Sequence, residues 1–169
     1  RAIGAAQLRV ITERGSDAPA GSIGELLVRG PELFVGYLDS ALNADAFTDD
    51  GWLRTGDLAR LDADSYLEIT GRQKDIIIRG GENISAKEIE DHLLEHPKIA
   101  DVAVVASPDP VLVERVCAVV VPERGQPLTL EEIVEWLDAR QFTKQKLPER
   151  LIVVDELPRT TSGKIQKFK

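Results

Sequence analysis

The sequence predicts an α+β protein in two parts, a β-rich segment followed by a small domain in which helices pack on a short sheet. Three observations predict it. Short runs with near-alternating Val, Leu, Ile and Tyr, punctuated by Gly, Pro and Asp clusters, fill the region before about residue 72. After about residue 75 the pattern changes to βαββαβ, with two helices that each open on a capping signature. At 169 residues and 43% hydrophobic content the chain has enough apolar mass to bury a core.

In chain order, Ala6–Ile11 (AQLRVI), Gly24–Gly30 (GELLVRG) and Tyr66–Gly71 (YLEITG) are expected as small antiparallel strands. Ser85 followed three residues later by Glu88 is a capping box. It opens a helix with Ile89 and Leu93 on its apolar face and Pro97 at its end. Thr129 and Glu132 repeat the device ahead of Ile133, Val134 and Leu137. Between and after the helices lie DVAVVA, RVCAVVV and RLIVVDE, each short and β-branched, as strands require.

Charge and composition exclude several functions. A net charge of −8 argues against the broad basic surface of a nonspecific nucleic-acid binder. The one local basic patch runs from Arg159 to Lys169 with Lys164 and Lys167 inside it; taken alone it reads either as an anion site or as a solvated basic tail. A single cysteine, Cys117, in an apolar run excludes an internal disulfide framework and is expected at a buried strand position. The apolar stretches are too short to span a bilayer and no secretory signal opens the sequence, so the expected compartment is cytoplasmic, with peripheral membrane contact left open. On the same ground Asn83-Ile84-Ser85 is read as a chance glycosylation match. His92 and His96 stand one helical turn apart without HExxH or cysteine partners. No metal site is expected from them, and they are read as surface or C-terminal-turn histidines.

Three polar, glycine-punctuated stretches carry charges suited to a nucleotide. In GWLRTGD, Asp57 follows a glycine on what reads as a tight turn; such a carboxylate accepts from two vicinal hydroxyls, as of a ribose, or simply caps the turn. In GRQKD, Arg72 could reach a phosphate or ribose, while the polar break around Lys74 also reads as a hinge between domains. Gly80 and Gly81, ahead of a helix, either let backbone approach another molecule without Cβ interference or make a β-turn. TTSGK presents Lys164 on a flexible loop. It is not a P-loop, since Pro158 stands where the first glycine belongs and Ile165 follows the lysine. A dinucleotide-binding dehydrogenase is disfavoured for want of GxGxxG after a strand.

The order and joint presence of these motifs, with GELLVRGPELFVGYLDS ahead of them, resemble the C-terminal part of an adenylate-forming enzyme of the acyl-CoA synthetase, adenylation-domain and luciferase superfamily. The resemblance covers essentially the whole chain and is strongest to bacterial-type fatty or other carboxylic acid:CoA ligases. It implies that residues 1–73 form the C-terminal, β-rich and barrel-like part of a large adenylating domain. Residues 74–169 would be a mobile lid, with the hinge near 72–75. By resemblance, Asp57 holds the ribose hydroxyls of ATP and Arg72 contacts the nucleotide. Lys74 is the hinge, and Gly80 and Gly81 border the pantetheine tunnel. Lys164 bridges the acid and the α-phosphate.

The implied substrates are a carboxylic acid, ATP with Mg2+ and CoA, the triphosphate being gripped mainly by an N-terminal domain that is not in this sequence. The chain is therefore expected to be a fragment, inactive alone, with acid specificity encoded elsewhere. RGGENISAKEIE is more like CoA ligases than peptide-synthetase adenylation domains; a carrier-protein-loading ligase and a noncatalytic lid-fold interaction module are the alternatives. Ala86 replaces a common proline, Ser65 a common glycine, and Asn83 stands where some relatives have a phosphate-contacting arginine, so that role is not assigned to it.

Overall fold

The computed structural model describes residues 5–167. The fold is α+β, and the chain divides into two compact units, the first ending at Lys74 and the second beginning at Asp75.

In the first unit, β1 (Gln7–Ile11), β2 (Gly24–Arg29), β3 (Leu53–Leu61) and β4 (Leu67–Arg72) form an antiparallel sheet in sequential order. Side chains alternate between faces. Val10, Leu26 and Ala59 cluster with Leu8, Val28, Leu61 and Leu67, while their chain neighbours Ile11 and Leu27 pack with Trp52 in a separate cluster. The β2–β3 connection carries a short helix, α1 (Asn43–Ala46).

Strand β3 departs from the sequence expectation. GWLRTGD read as a turn, because Gly and Asp are turn residues, yet Asp57 lies inside a nine-residue strand. The turn character is expressed as a bulge. Glu25 pairs with Leu58 but Leu27 with Arg54, so Thr55, Gly56 and Asp57 together face Leu26. Gly56 takes φ +69°, which only glycine adopts without strain. The Thr55 hydroxyl closes the bulge by donating to Leu26 O at 2.9 Å and accepting from Asp57 N at 3.0 Å.

The second unit contains β5 (Ile76–Arg79), β6 (Glu82–Ser85), α2 (Ala86–Leu93), β7 (Ile99–Asp109), β8 (Val113–Pro122), α3 (Leu130–Asp138) and β9 (Arg150–Val153). The expected βαββαβ thus gains one strand, since IIIRGGENIS folds as a hairpin. The sheet runs β6-β5-β8-β7. Strand β9 lies beside β8 and parallel to it, a pairing reached through the α3 crossover. Both helices pack on one face: Ile89 and Leu93 of α2, with Ile133 and Leu137 of α3, meet Val102, Val104, Val116, Ala118 and Val120. These four helix residues are essentially fully buried, and each contributes roughly 1.5–3 kcal/mol relative to exposure.

The two N-caps differ. At α3 the capping box is complete, with Thr129 and Glu132 exchanging side-chain and backbone bonds. At α2 Ser85 Oγ accepts from Glu88 N at 3.4 Å, while the Glu88 carboxylate is taken at 2.8 Å by Lys146. Cys117 is a buried strand residue, as its apolar run implies, and burial pushes its thiol above the ordinary range.

Candidate functional site

The predicted residues fall at three places, one in the first unit and two in the second. In the first unit, the bulge at Gly56 turns Asp57 toward the end of β4. There Asp57 and Arg72 are directly opposed across the ladder and Arg72 Nε donates to Asp57 Oδ1 at 2.8 Å. Arg72 of the pair also lines a recess of about 370 Å³ with Thr55, Gly56, Gln73 and Lys74. Asp57 keeps its second carboxylate oxygen without a hydrogen bond from the described residues. Bonded on one side and open on the other, such a carboxylate is pre-oriented to accept from a ligand hydroxyl. The sequence treated Asp57 and Arg72 as independent contacts; the structure couples them. Lys74 is exposed, in the single 3-10 turn Gln73–Asp75 that joins the units.

The Gly80–Gly81 pair does not lead directly into a helix: α2 begins at Ala86. The two glycines are the loop of the β5–β6 hairpin, with φ +58° and +90°, the two-residue turn whose central residues both need positive φ. A Cβ on Gly81 would meet nothing within 4 Å, so its backbone faces open space. Gly80 is buttressed by the 109–113 turn, its N–H donating to Leu112 O at 2.8 Å. Val113 holds φ +71°, an outlier for a β-branched residue, and pairs with Arg79.

Beneath this turn lies a charge network that the sequence did not reveal. Arg79 grips Glu149 through two bonds of 2.8 and 3.0 Å, and Arg115 bonds both Glu149 and Asp109. The Arg115 guanidinium, with the backbone N–H groups of Leu112 and Val111, holds the Asp109 carboxyl down at about 2. Arg79 and Glu149 are 70 residues apart, and no local pattern announces such a pairing.

The segment around Lys164 is neither a loose loop nor a solvated basic tail. Thr160 N donates to Lys164 O at 2.8 Å, Gly163 N to Thr160 O at 2.9 Å and Gln166 N to Pro158 O at 2.8 Å. Lys164 N adds a bond to Thr160 Oγ1 at 3.1 Å, and Arg159 bridges to Ile165. The flanking cations are neutralised: Arg159 pairs with Asp101, and Lys167 lies 2.7 Å from Glu90 and 3.8 Å from Asp75. Lys164 alone of the described cations in this segment is exposed without an ion pair. Lys169 lies outside the described residues.

Of the histidines, His96 is buried rather than at the surface, stacked edge-on to Trp136, and its Nδ1 accepts from Lys98 N at 3.2 Å. Among the described residues no group of His, Cys, Asp and Glu is arranged to hold a metal, and no helix is long and apolar enough to cross a membrane.

Residues 88–164 match the family model of the AMP-binding enzyme C-terminal domain. The chain is 49% identical over 164 residues to the medium-chain fatty-acid–CoA ligase of Escherichia coli, covering 96% of this chain and 29% of that protein. It is 51% identical over 162 residues to a salicylyl-CoA synthase / salicylate adenylyltransferase of a Streptomyces species, covering 95% and 29%. Among solved structures, ATP-bound MatB from Rhodopseudomonas palustris superimposes with a TM-score of 0.92 at 38% identity, covering 99% of this chain and 33% of that one. The Bacillus subtilis o-succinylbenzoate CoA synthetase MenE, in complex with its acyl-adenylate intermediate, gives 0.89 at 31% identity, covering 98% and 33%. The chain thus spans about a third of the length of these relatives.

Proposed function

We propose, from the chain's membership of the adenylate-forming enzymes through their AMP-binding C-terminal domain, that it is the lid-bearing part of an AMP-forming acid–CoA ligase. The complete protein would join a carboxylic acid to ATP as an acyl-adenylate and then pass the acyl group to CoA, in the cytoplasm. The observation that carries this reading is Lys164, a single unpaired ammonium held out on a closed loop whose other described cations are already spent on carboxylates.

In the first half-reaction a carboxylate oxygen attacks the α-phosphorus of Mg-ATP and pyrophosphate leaves. Two anions approach and charge accumulates on the phosphoryl oxygens, so an ammonium with no competing partner is most effective there. Asp57, steadied by Arg72, would take the ribose hydroxyls through its open oxygen. In the second half-reaction a thiol attacks the acyl carbonyl and AMP leaves. The open backbone at Gly81 leaves room for a pantetheine arm where a side chain would obstruct it. Movement about Lys74 would exchange the two surfaces.

The acid is proposed to be a fatty or related acyl acid, a reading supported by the similarity to the E. coli ligase. The similarity to the Streptomyces enzyme and, at 41% identity, to a 2,3-dihydroxybenzoate-AMP ligase of Bacillus subtilis favours an aryl acid; a ligase that loads such an acid onto a carrier protein is the second reading. The test is pyrophosphate release by this chain joined to a large adenylating domain, given Mg-ATP and a panel of aliphatic and aryl acids, with Lys164→Ala as control. Lysine-dependent release is expected, followed by thioester formation on CoA; lysine-independent release would overturn the reading. Preference for a phosphopantetheinylated carrier protein over CoA would select the second.

A further inference from the structure

The Lys164 loop is stiff within itself and attached to the second unit by two feet. On its N-terminal side Arg159 bonds Gly163 O at 2.6 Å and also pairs with Asp101 of β7. On its C-terminal side Lys167 reaches between Glu90 of α2 and Asp75. The second foot is the more deeply set: the side chains of Lys167 and Glu90 are only 21% and 15% exposed, whereas Arg159 is 46% exposed. Glu90 Oε1 also accepts from Val104 N at 2.6 Å, so the carboxylate joins α2, β7 and the C-terminal segment at one point.

We propose that Lys167 is a positioning residue for Lys164: by bridging Glu90 and Asp75 it fixes the C-terminal foot of the loop and so the place from which the Lys164 ammonium is presented. This rests on the role proposed above for Lys164. Burial pushes the Glu90 carboxyl up, and Lys167 opposes that push; an ion pair in such a place is costly to break by removing one partner. Because Asp75 is the first residue of the second unit, the loop is tied to the point where the chain leaves the proposed hinge. The loop's internal hydrogen bonds do not involve Lys167, so losing the foot displaces the loop without unravelling it.

The experiment compares wild type, Lys167→Met, Lys167→Arg and the double variant Glu90→Gln/Lys167→Met in the ligase that contains this chain joined to its large domain. The double variant removes the buried carboxylate that Lys167→Met would leave unpaired. It separates the foot from stability. Adenylation and thioester formation from supplied acyl-adenylate are measured separately. Expected is a roughly 10- to 100-fold loss of adenylation in Lys167→Met, the scale of a small misplacement of a reacting group, with thioester formation within about twofold of wild type. Lys167→Arg should restore adenylation, and the double variant should recover thermal stability but not adenylation.

In the 169-residue chain itself, backbone NMR order at Gly163 to Ile165 should fall in Lys167→Met and persist in Lys167→Arg. Unchanged adenylation in Lys167→Met, while Lys164→Ala abolishes it, would overturn the positioning role and leave the proposed function standing. So would parallel loss of both half-reactions, or recovery of adenylation in the double variant. No effect of Lys164→Ala would overturn both, and the NMR measurement would then report on the foot alone.

Discussion

Asp57 and Arg72 stand opposite each other across β3 and β4, with Arg72 Nε 2.8 Å from one carboxylate oxygen of Asp57 and no hydrogen bond from the described residues on the other. The arginine orients the acid, and the Gly56 bulge aims it. Asp57→Asn in the complete ligase should raise the KM for ATP roughly 10- to 100-fold, the worth of a hydrogen bond to a charged group, with a smaller effect on kcat. Calorimetric titration with AMP checks the same loss without turnover. Equal affinity in wild type and variant would remove Asp57 from the nucleotide site.

The single 3-10 turn at Gln73–Asp75 makes the junction between the units sensitive to backbone restriction. Proline at position 74 fixes φ there and pushes Gln73 toward extended geometry. If the lid turns at Lys74, Lys74→Pro should depress thioester formation more than adenylation in separate half-reaction assays. Equal rates in wild type and variant would move the hinge elsewhere.

Ser65 occupies the β3–β4 turn at φ +62°, a left-handed conformation that favours glycine. Its N–H donates to Asp62 O at 3.0 Å, and Asp62 Oδ1 accepts from Asp64 N and Tyr66 N, so the turn is held whichever residue stands there. Ser65→Gly relieves a left-handed penalty of about 1–2 kcal/mol, partly offset by the greater freedom of glycine in the unfolded chain. A net gain of up to about 1 kcal/mol is expected in urea unfolding; destabilisation would mean that the serine side chain contributes more than the strain costs.

Burial lowers the pKa of His96 from its ordinary value; Lys98 and Arg140 push the same way, and Glu132 opposes them. The unfolded chain therefore binds a proton more readily than the folded one. The contribution of His96 is complete above about pH 6.5 and is lost as pH falls below it. Protonation would also abolish the acceptor that Lys98 N uses at Nδ1. Urea midpoints should fall between about pH 7.5 and about pH 5.5, and fall less in His96→Gln. An identical slope in both proteins would assign the pH dependence to other groups.

What the sequence made legible was whatever has a local signature. The caps at Ser85 and Thr129, the apolar spacing of Ile89–Leu93 and Ile133–Leu137, and the β-branched runs of β7, β8 and β9 each obey a short-range rule, and each element is present. Strand β3 was missed because one glycine serves equally in a turn and in a bulge, and only the pairing of Leu27 with Arg54 decides between them. Of the β5–β6 hairpin, the turn at Gly80–Gly81 is one of the two readings the glycine pair allows, but the strand Glu82–Ser85 is not legible because it runs straight into the cap of α2. Lys164 was recognisable from its motif. Its isolation was not, since it depends on Asp101 and Glu90, partners far away in the chain that neutralise Arg159 and Lys167.

The parallel pairing of β9 with β8 has a consequence for how such a chain is made. As the polypeptide emerges from the ribosome, β7 and β8 can form their ladder early, but the Cys117–Val120 edge of β8 stays open until Arg150–Val153 arrives. The segment that closes that edge is followed within a dozen residues by Lys164. Sealing the sheet and placing the Lys164 ammonium therefore fall close together in synthesis, the edge of β8 being closed shortly before the ammonium is added.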